Sequence, residues 1–163
     1  MERTEGGETA VHRERLLDGL RAFGASYTEL TRRFAGFLGL HATDAAALAE
    51  ILYAEDKGVP LSPARLAERV SLTSGATTNL LNRLERAGHV VRVRDQADRR
   101  VVTLRASPEI QGPAQEFFGG LLVDPIDALV SQYSPETLAE FEGFLARLRG
   151  TMSAVLAEDT TAG

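Results

Sequence analysis

The residues best suited to chemistry in this chain lie between Thr73 and Arg86. If Leu80, Leu81 and Leu84 form the buried stripe of a helix, then Ser74, Gly75, Thr78, Asn79, Asn82, Arg83 and Arg86 turn outward together. The chemistry of that face is recognition rather than catalysis. Small side chains at its N-terminal end allow close approach to a duplex, and Thr78 and Asn79 can donate and accept at base edges in a major groove. Backbone N–H groups near Thr73 favour phosphate, and Thr73 and Thr77 complete the candidate contacts on this helix. At the start of the preceding segment, Ser62 and Arg65 are placed to hold backbone phosphates, although a helix cap and a solvated charge explain them as well. Taken alone, the outward face of 74–86 is also what the solvated side of any surface helix looks like.

The neighbouring sequence decides between the two. HVVRVR and VVTLR are β-rich runs separated by the polar stretch DQADRR, which predicts a β-hairpin directly after the helix. In its turn Asp98, Arg99 and Arg100 place two cations where a wing could meet a minor groove or the phosphates beside it, with Asp98 orienting an arginine or capping the turn. The whole chain of 163 residues carries −5, which by itself argues against a nucleic-acid partner. Residues 62–105, however, hold nine arginines against four carboxylates, +5, so the remainder carries −10. A basic segment in an acidic scaffold is the electrostatic pattern of a protein that meets phosphates with one surface.

Catalytic alternatives lack residues. There is no phosphate-cradling glycine loop, nucleophile elbow or paired-histidine zinc motif, so no enzyme is expected. Cysteine is absent and the three histidines are far apart, so neither a disulfide, a thiol switch nor a metal site is expected, and no cofactor. The competing reading is a winged-helix protein-interaction module without specific DNA binding. Such a module would need exposed apolar anchors on the second helix, and the pattern offers none.

These residues need a scaffold to position them. Ser62-Pro63 reads as an N-cap and first-turn proline of a short helix with Leu66, Ala67 and Val70 inward. Ser71-Leu72 is a turn, Thr73 caps the next helix, and Gly88 ends it after Ala87. Before them, Thr43 is expected to cap a helix burying Leu48, Ile51 and Leu52. From Leu16 to Phe37 the apolar positions step in fours and threes, as do Leu138 to Val155 behind Ser134-Pro135, which predicts a narrow heptad seam on a long helix at each end of the chain. Between 107 and 133 a helix is expected to start near Pro113 and to kink or break near Pro125. The fold class is therefore mostly α with a small β-hairpin wing: a winged helix-turn-helix flanked by N- and C-terminal dimerisation helices. The boundaries are a single domain over 1–163, dimerisation helices at 11–40 and 108–157, and a DNA-binding lobe at 43–105. The opening MERTEGGETA is polar and no run of eighteen apolar residues occurs, so a cytoplasmic protein with no membrane partner is expected.

Residues 72–104, LTSGATTNLLNRLERAGHVVRVRDQADRRVVTL, resemble the core of the MarR family of bacterial regulators. TSGATTNLLNRLERAG is similar to that family's recognition helix, and Asp98-Arg99-Arg100 to its Asp-x-Arg wing motif. One departure is that Ala106-Ser107 stands where the wing strand usually ends in Leu-Thr, and Ser107 is expected to cap the following helix. The resemblance implies a homodimer on a pseudo-palindromic double-stranded DNA operator, and repression relieved by a small aromatic, anionic or lipophilic effector. Tyr27, His41, Tyr53, Phe117 and Phe118 are the residues it suggests for an effector pocket, each of which also suits core packing.

Overall fold

Every segment that the sequence marks as helical or extended takes that form in a computed structural model, which describes residues 2–94 and 100–160, with side chains for 7–94 and 100–155. The chain begins with α1 (Glu2–Leu38), closed by Gly39 in the left-handed region at φ 67°. Next come α2 (Ala42–Asp56), α3 (Pro63–Arg69) and α4 (Ser74–Arg86). The hairpin follows, β1 (Val90–Arg94) antiparallel to β2 (Val102–Ala106), with Val90 opposite Ala106 and Arg94 opposite Val102. After it stand α5 (Pro108–Phe118), a π-helical turn (Gly119–Val123), α6 (Asp124–Val130) and α7 (Pro135–Thr160). Residues through Ala114 make one compact unit, and Gln115 onwards makes a second.

The first unit is organised on α2, which touches α1, α3, α4 and β2. Its Ala45, Ala47, Leu48, Ile51 and Ala54 are buried, and Phe34 and Ala35 of α1, Leu66 of α3, Leu80, Leu81 and Leu84 of α4, and Val90 and Leu104 of the hairpin complete the core. Small residues on α2 let its neighbours approach closely. The Leu104 N–H donates to the Leu61 carbonyl at 2.7 Å, which pins β2 to the segment entering α3.

Several local expectations need correction. The helix α2 opens at Ala42 behind an extended His41 with no side-chain cap, so Thr43 lies inside it, and Asp44 supplies the acidic charge that the first turn favours. Leu52 is only partly buried, and Ala87 is exposed because the chain is already leaving α4 there. The helix expected near Pro113 begins at Pro108, with Pro113 inside it. Ser107-Pro108 is the second of three serine-proline helix starts, between Ser62-Pro63 and Ser134-Pro135, and the first-turn preference of proline won over the interior one. Ser107 does not cap through its side chain: its buried Oγ has no hydrogen-bond partner among the described residues, and its carbonyl accepts from the Ile110 N–H instead. The interruption near Pro125 is real but sits at the preceding glycine pair. There the Asp124 N–H reaches back to the Gly119 carbonyl, five residues away, and this wider turn carries the chain past Pro125, which has no N–H to give.

Among the described residues no single helix is long and apolar enough to cross a membrane. The seams of the terminal helices are largely uncovered. Phe23 and Phe37 are 59% and 53% exposed on α1, and Leu145 and Val155 are 53% and 54% exposed on α7. In the second unit the Tyr133 and Phe141 rings meet edge to face at 5.5 Å.

Candidate nucleic-acid interface

Three elements present the candidate residues. The start of α3 is fixed by Ser62, whose Oγ accepts the Arg65 N–H at 3.3 Å behind the proline at the helix's first position. The start of α4 is fixed in the same way by Thr73, whose Oγ1 accepts the Ala76 N–H at 3.2 Å. Between them Ser71 takes the left-handed conformation at φ 52°, which turns the chain sharply enough for α4 to pack back on α3. At the far end Gly88, φ 75°, releases the chain into β1.

On α4 the outward set is Ser74, Gly75, Thr78, Asn79, Arg83 and Arg86, all exposed, with Asn82 partly covered. Thr78 Oγ1 donates to the Ser74 carbonyl at 2.9 Å, leaving its lone pairs outward. No hydrogen bond is made by the Asn79 side chain among the described residues, so both ends of its amide remain available. Thr77 is different. It is 2% exposed, and its Oγ1 donates to the Thr73 carbonyl at 2.9 Å, so it packs with Leu80 and Leu81 rather than facing a groove. Asp98 and Arg99 lie outside the described residues. Arg100 stands exposed just before β2.

The arginines divide by partner, and this is what the sequence did not reveal. Three of them reach carboxylates on α2. Arg83 forms a two-point pair with the buried Asp44, its Nε 2.9 Å from Oδ2, and this partnership raises the guanidinium pKa above its ordinary value. Arg69 pairs with Glu50 at 3.0 Å and Arg105 with Glu55 at 3.4 Å. The other oxygen of Glu55 accepts the Ala106 backbone N–H at 2.9 Å. One helix thus holds α3, α4 and the wing, each through an arginine. Arg65 shares a solvated pair with Glu68 at 3.2 Å. Arg92 of β1 crosses to α4, where it meets Glu85 at 3.4 Å and the Asn82 Oδ1 at 3.2 Å. Arg86 and Arg94 have no carboxylate partner among the described residues. Asp44, Glu50, Glu55, Arg92 and Arg94 were not singled out from sequence. Acids recurring along an otherwise apolar α2 were the available signal.

The residues suggested for an effector fall in both units. In the first, Tyr27 of α1 is 45% exposed, and its phenol is pushed above its ordinary pKa by its partial desolvation and then by the neighbouring Glu50 and Tyr53. Tyr53 is exposed, with the Lys57 Nζ 5.6 Å from its ring centre, and His41 is exposed at the entry to α2. In the second, the partly buried Phe117 and Phe118 rings meet edge to face at 5.1 Å.

Residues 38–101 match the model of the MarR family. The uncharacterized HTH-type transcriptional regulator YcgE of Bacillus subtilis (strain 168) is 30% identical over 115 residues, which is 71% of this chain and 71% of that protein. A MarR family protein from Bacillus stearothermophilus superposes with a TM-score of 0.56 at 27% identity, over 85% of this chain and 94% of that one. MepR of S. aureus in its DNA-binding conformation gives a TM-score of 0.62 at 18% identity, over 82% and 95% of the two chains. The MepR–DNA complex gives 0.53 at 19%, over 81% and 94%. At such identities the MepR likeness is one of fold.

Proposed function

The chain belongs to the MarR family of transcriptional regulators, not of enzymes, and we propose that it acts as a homodimeric, ligand-responsive repressor on a pseudo-palindromic DNA operator. The observation that carries this reading is the polar outward face of α4, from Ser74 to Arg86, beside a hairpin on which Arg94 and Arg100 are exposed. MepR, which shares the fold, has been solved on DNA. In a symmetric dimer the two α4 helices enter successive major grooves, and Ser62 and Arg65 lie against phosphates. Asp98, Arg99 and Arg100 are assigned to the flanking minor grooves.

The uncovered seams of α1 and α7 support the dimer. Monomers rarely leave rows of Leu and Phe in water, and a second copy supplies matching seams. Tyr27 supports the ligand response by its position. It stands beside Glu50, which holds Arg69 of α3, so a small aromatic or lipophilic effector lodged against Tyr27 and Tyr53 disturbs the seating of the first helix of the motif. Such a ligand releases DNA only by its higher affinity for the non-binding conformation.

Selection of bound fragments from the source genome, followed by footprinting, tests the proposal. The expected result is a two-fold protected sequence whose half-sites lie about one helical turn, or a multiple of it, apart. Fragments without a shared sequence would overturn it.

A further inference from the structure

We propose that Arg92 fixes Asn82 as a hydrogen-bond donor towards DNA, so that this position of α4 reads acceptor groups on a base edge and rejects cytosine. The inference rests on α4 being the major-groove helix. A carboxamide has a donor end and an acceptor end, and a freely rotating asparagine can present either. Asn82 cannot rotate freely. A guanidinium only donates, so the atom that meets it must be the amide oxygen, and Arg92 Nη2 stands 3.2 Å from Oδ1. The guanidinium is itself held from a second side by Glu85, 3.4 Å from Nη1, with both side chains about one-third exposed at 33% and 32%. Below the side chain, Arg86 Nε donates to the Asn82 carbonyl at 3.1 Å and steadies the same turn. The NH2 group of Asn82 is then the end left over, and it has no acceptor among the described residues.

Asn82 lies three residues after Asn79, four after Thr78 and seven after Gly75, which places all four on one face of α4. In the major groove guanine offers N7 and O6, adenine N7, and thymine O4 as acceptors, whereas cytosine offers only its N4 amine. A donor held outward by Arg92 therefore finds a partner on three bases and meets another donor on the fourth. Asn79, with neither end engaged, has no such bias. The hairpin thus shapes what the recognition helix reads, although Arg92 itself need not touch a base. It is a positioning residue.

The test uses the full-length protein and its selected operator, with relative affinities measured for all four bases at every position. The base pair whose preference flattens in Asn82→Ala, while others persist, marks the position that Asn82 faces. There, wild type should disfavour cytosine by about fivefold to tenfold, the scale of one lost contact. Asn82→Asp keeps an oxygen for Arg92 and presents an acceptor, so cytosine should become the preferred base. Arg92→Met frees the amide to turn and should remove the discrimination against cytosine at that pair alone, and Arg92→Lys, which retains a donor, should restore it. A merely structural Arg92 would change affinity uniformly without altering one base preference. A specific wild-type profile left unchanged in Asn82→Ala and Asn82→Asp, or an Arg92→Met profile identical to wild type, overturns the inference alone. A wild-type profile that is flat everywhere overturns the operator reading with it.

Discussion

Replacing Glu55 by alanine and by glutamine separates the two bonds through which α2 holds the wing. In the native chain one carboxylate oxygen accepts the Ala106 N–H at 2.9 Å and the other meets Arg105 at 3.4 Å. Ala106 is 3% exposed, so Glu55→Ala strands a buried N–H, which costs about 1–3 kcal/mol. The ionic bond involves an Arg105 side chain that is 41% exposed, and solvent reduces its worth to about 0–1 kcal/mol. Glutamine keeps a carbonyl acceptor for the N–H and loses only the charge. The expected losses are therefore about 1–4 kcal/mol for Glu55→Ala and below about 1 kcal/mol for Glu55→Gln. For a chain of this size these correspond to falls of roughly 2–16 °C and under about 4 °C in Tm. Urea unfolding followed by circular dichroism measures them, at one fixed protein concentration because association contributes to the apparent stability. Operator affinity should fall in the same order, since β2 carries the wing. Equal losses for the two variants would show that charge rather than the backbone hydrogen bond anchors β2. A Glu55→Ala protein within about 0.5 kcal/mol of wild type would show that Ala106 finds another acceptor.

Deleting residues 134–163 removes the seam of α7 and should abolish the dimer in sedimentation at micromolar concentration; a dimer that persists refutes that role for α7. Asn79→Ala should weaken operator binding by about 1–3 kcal/mol while leaving binding to random DNA nearly intact. Equal losses on both would place Asn79 on the phosphates. If the wing reads a narrow minor groove, Arg100→Ala should lower affinity most for operators with A·T-rich flanks. A loss independent of flank sequence, together with a one-charge change in the salt slope, would make the wing an electrostatic clamp. On α1, hydrogen bonds from Arg32 and Arg33 lower the Glu29 carboxyl from 4.5 to about 2. A depressed pKa contributes stability above the unfolded value and loses it as pH falls from 4.5 towards 2, so Glu29→Gln should blunt the loss of helical circular dichroism across that window.

What the sequence made legible was whatever local chemistry decides. The outward face of α4 could be read because Leu80, Leu81 and Leu84 fix the helical phase, and because Thr73 and Gly88 mark its ends with the cap and the left-handed exit that those residues favour. The hairpin could be read because two β-rich runs, HVVRVR and VVTLR, flank the polar stretch DQADRR. Thr77 was misassigned since it lies at the edge of the buried stripe, where one step of helical phase separates a groove contact from a core residue. The start of α5 was misplaced because two prolines, Pro108 and Pro113, both suited a helix opening, and only packing chooses between them.

The arginine pairings failed for a different reason. Arg69, Arg83 and Arg105 find their carboxylates 19, 39 and 50 residues away, so a charge count over residues 62–105 treats them as free cations. In the folded chain they are the fastenings of α3, α4 and β2 to α2. The same separation ties recognition to the rest of the fold. Because α2 packs on α1 and touches α3, α4 and β2, it joins the first helix to all three of these elements.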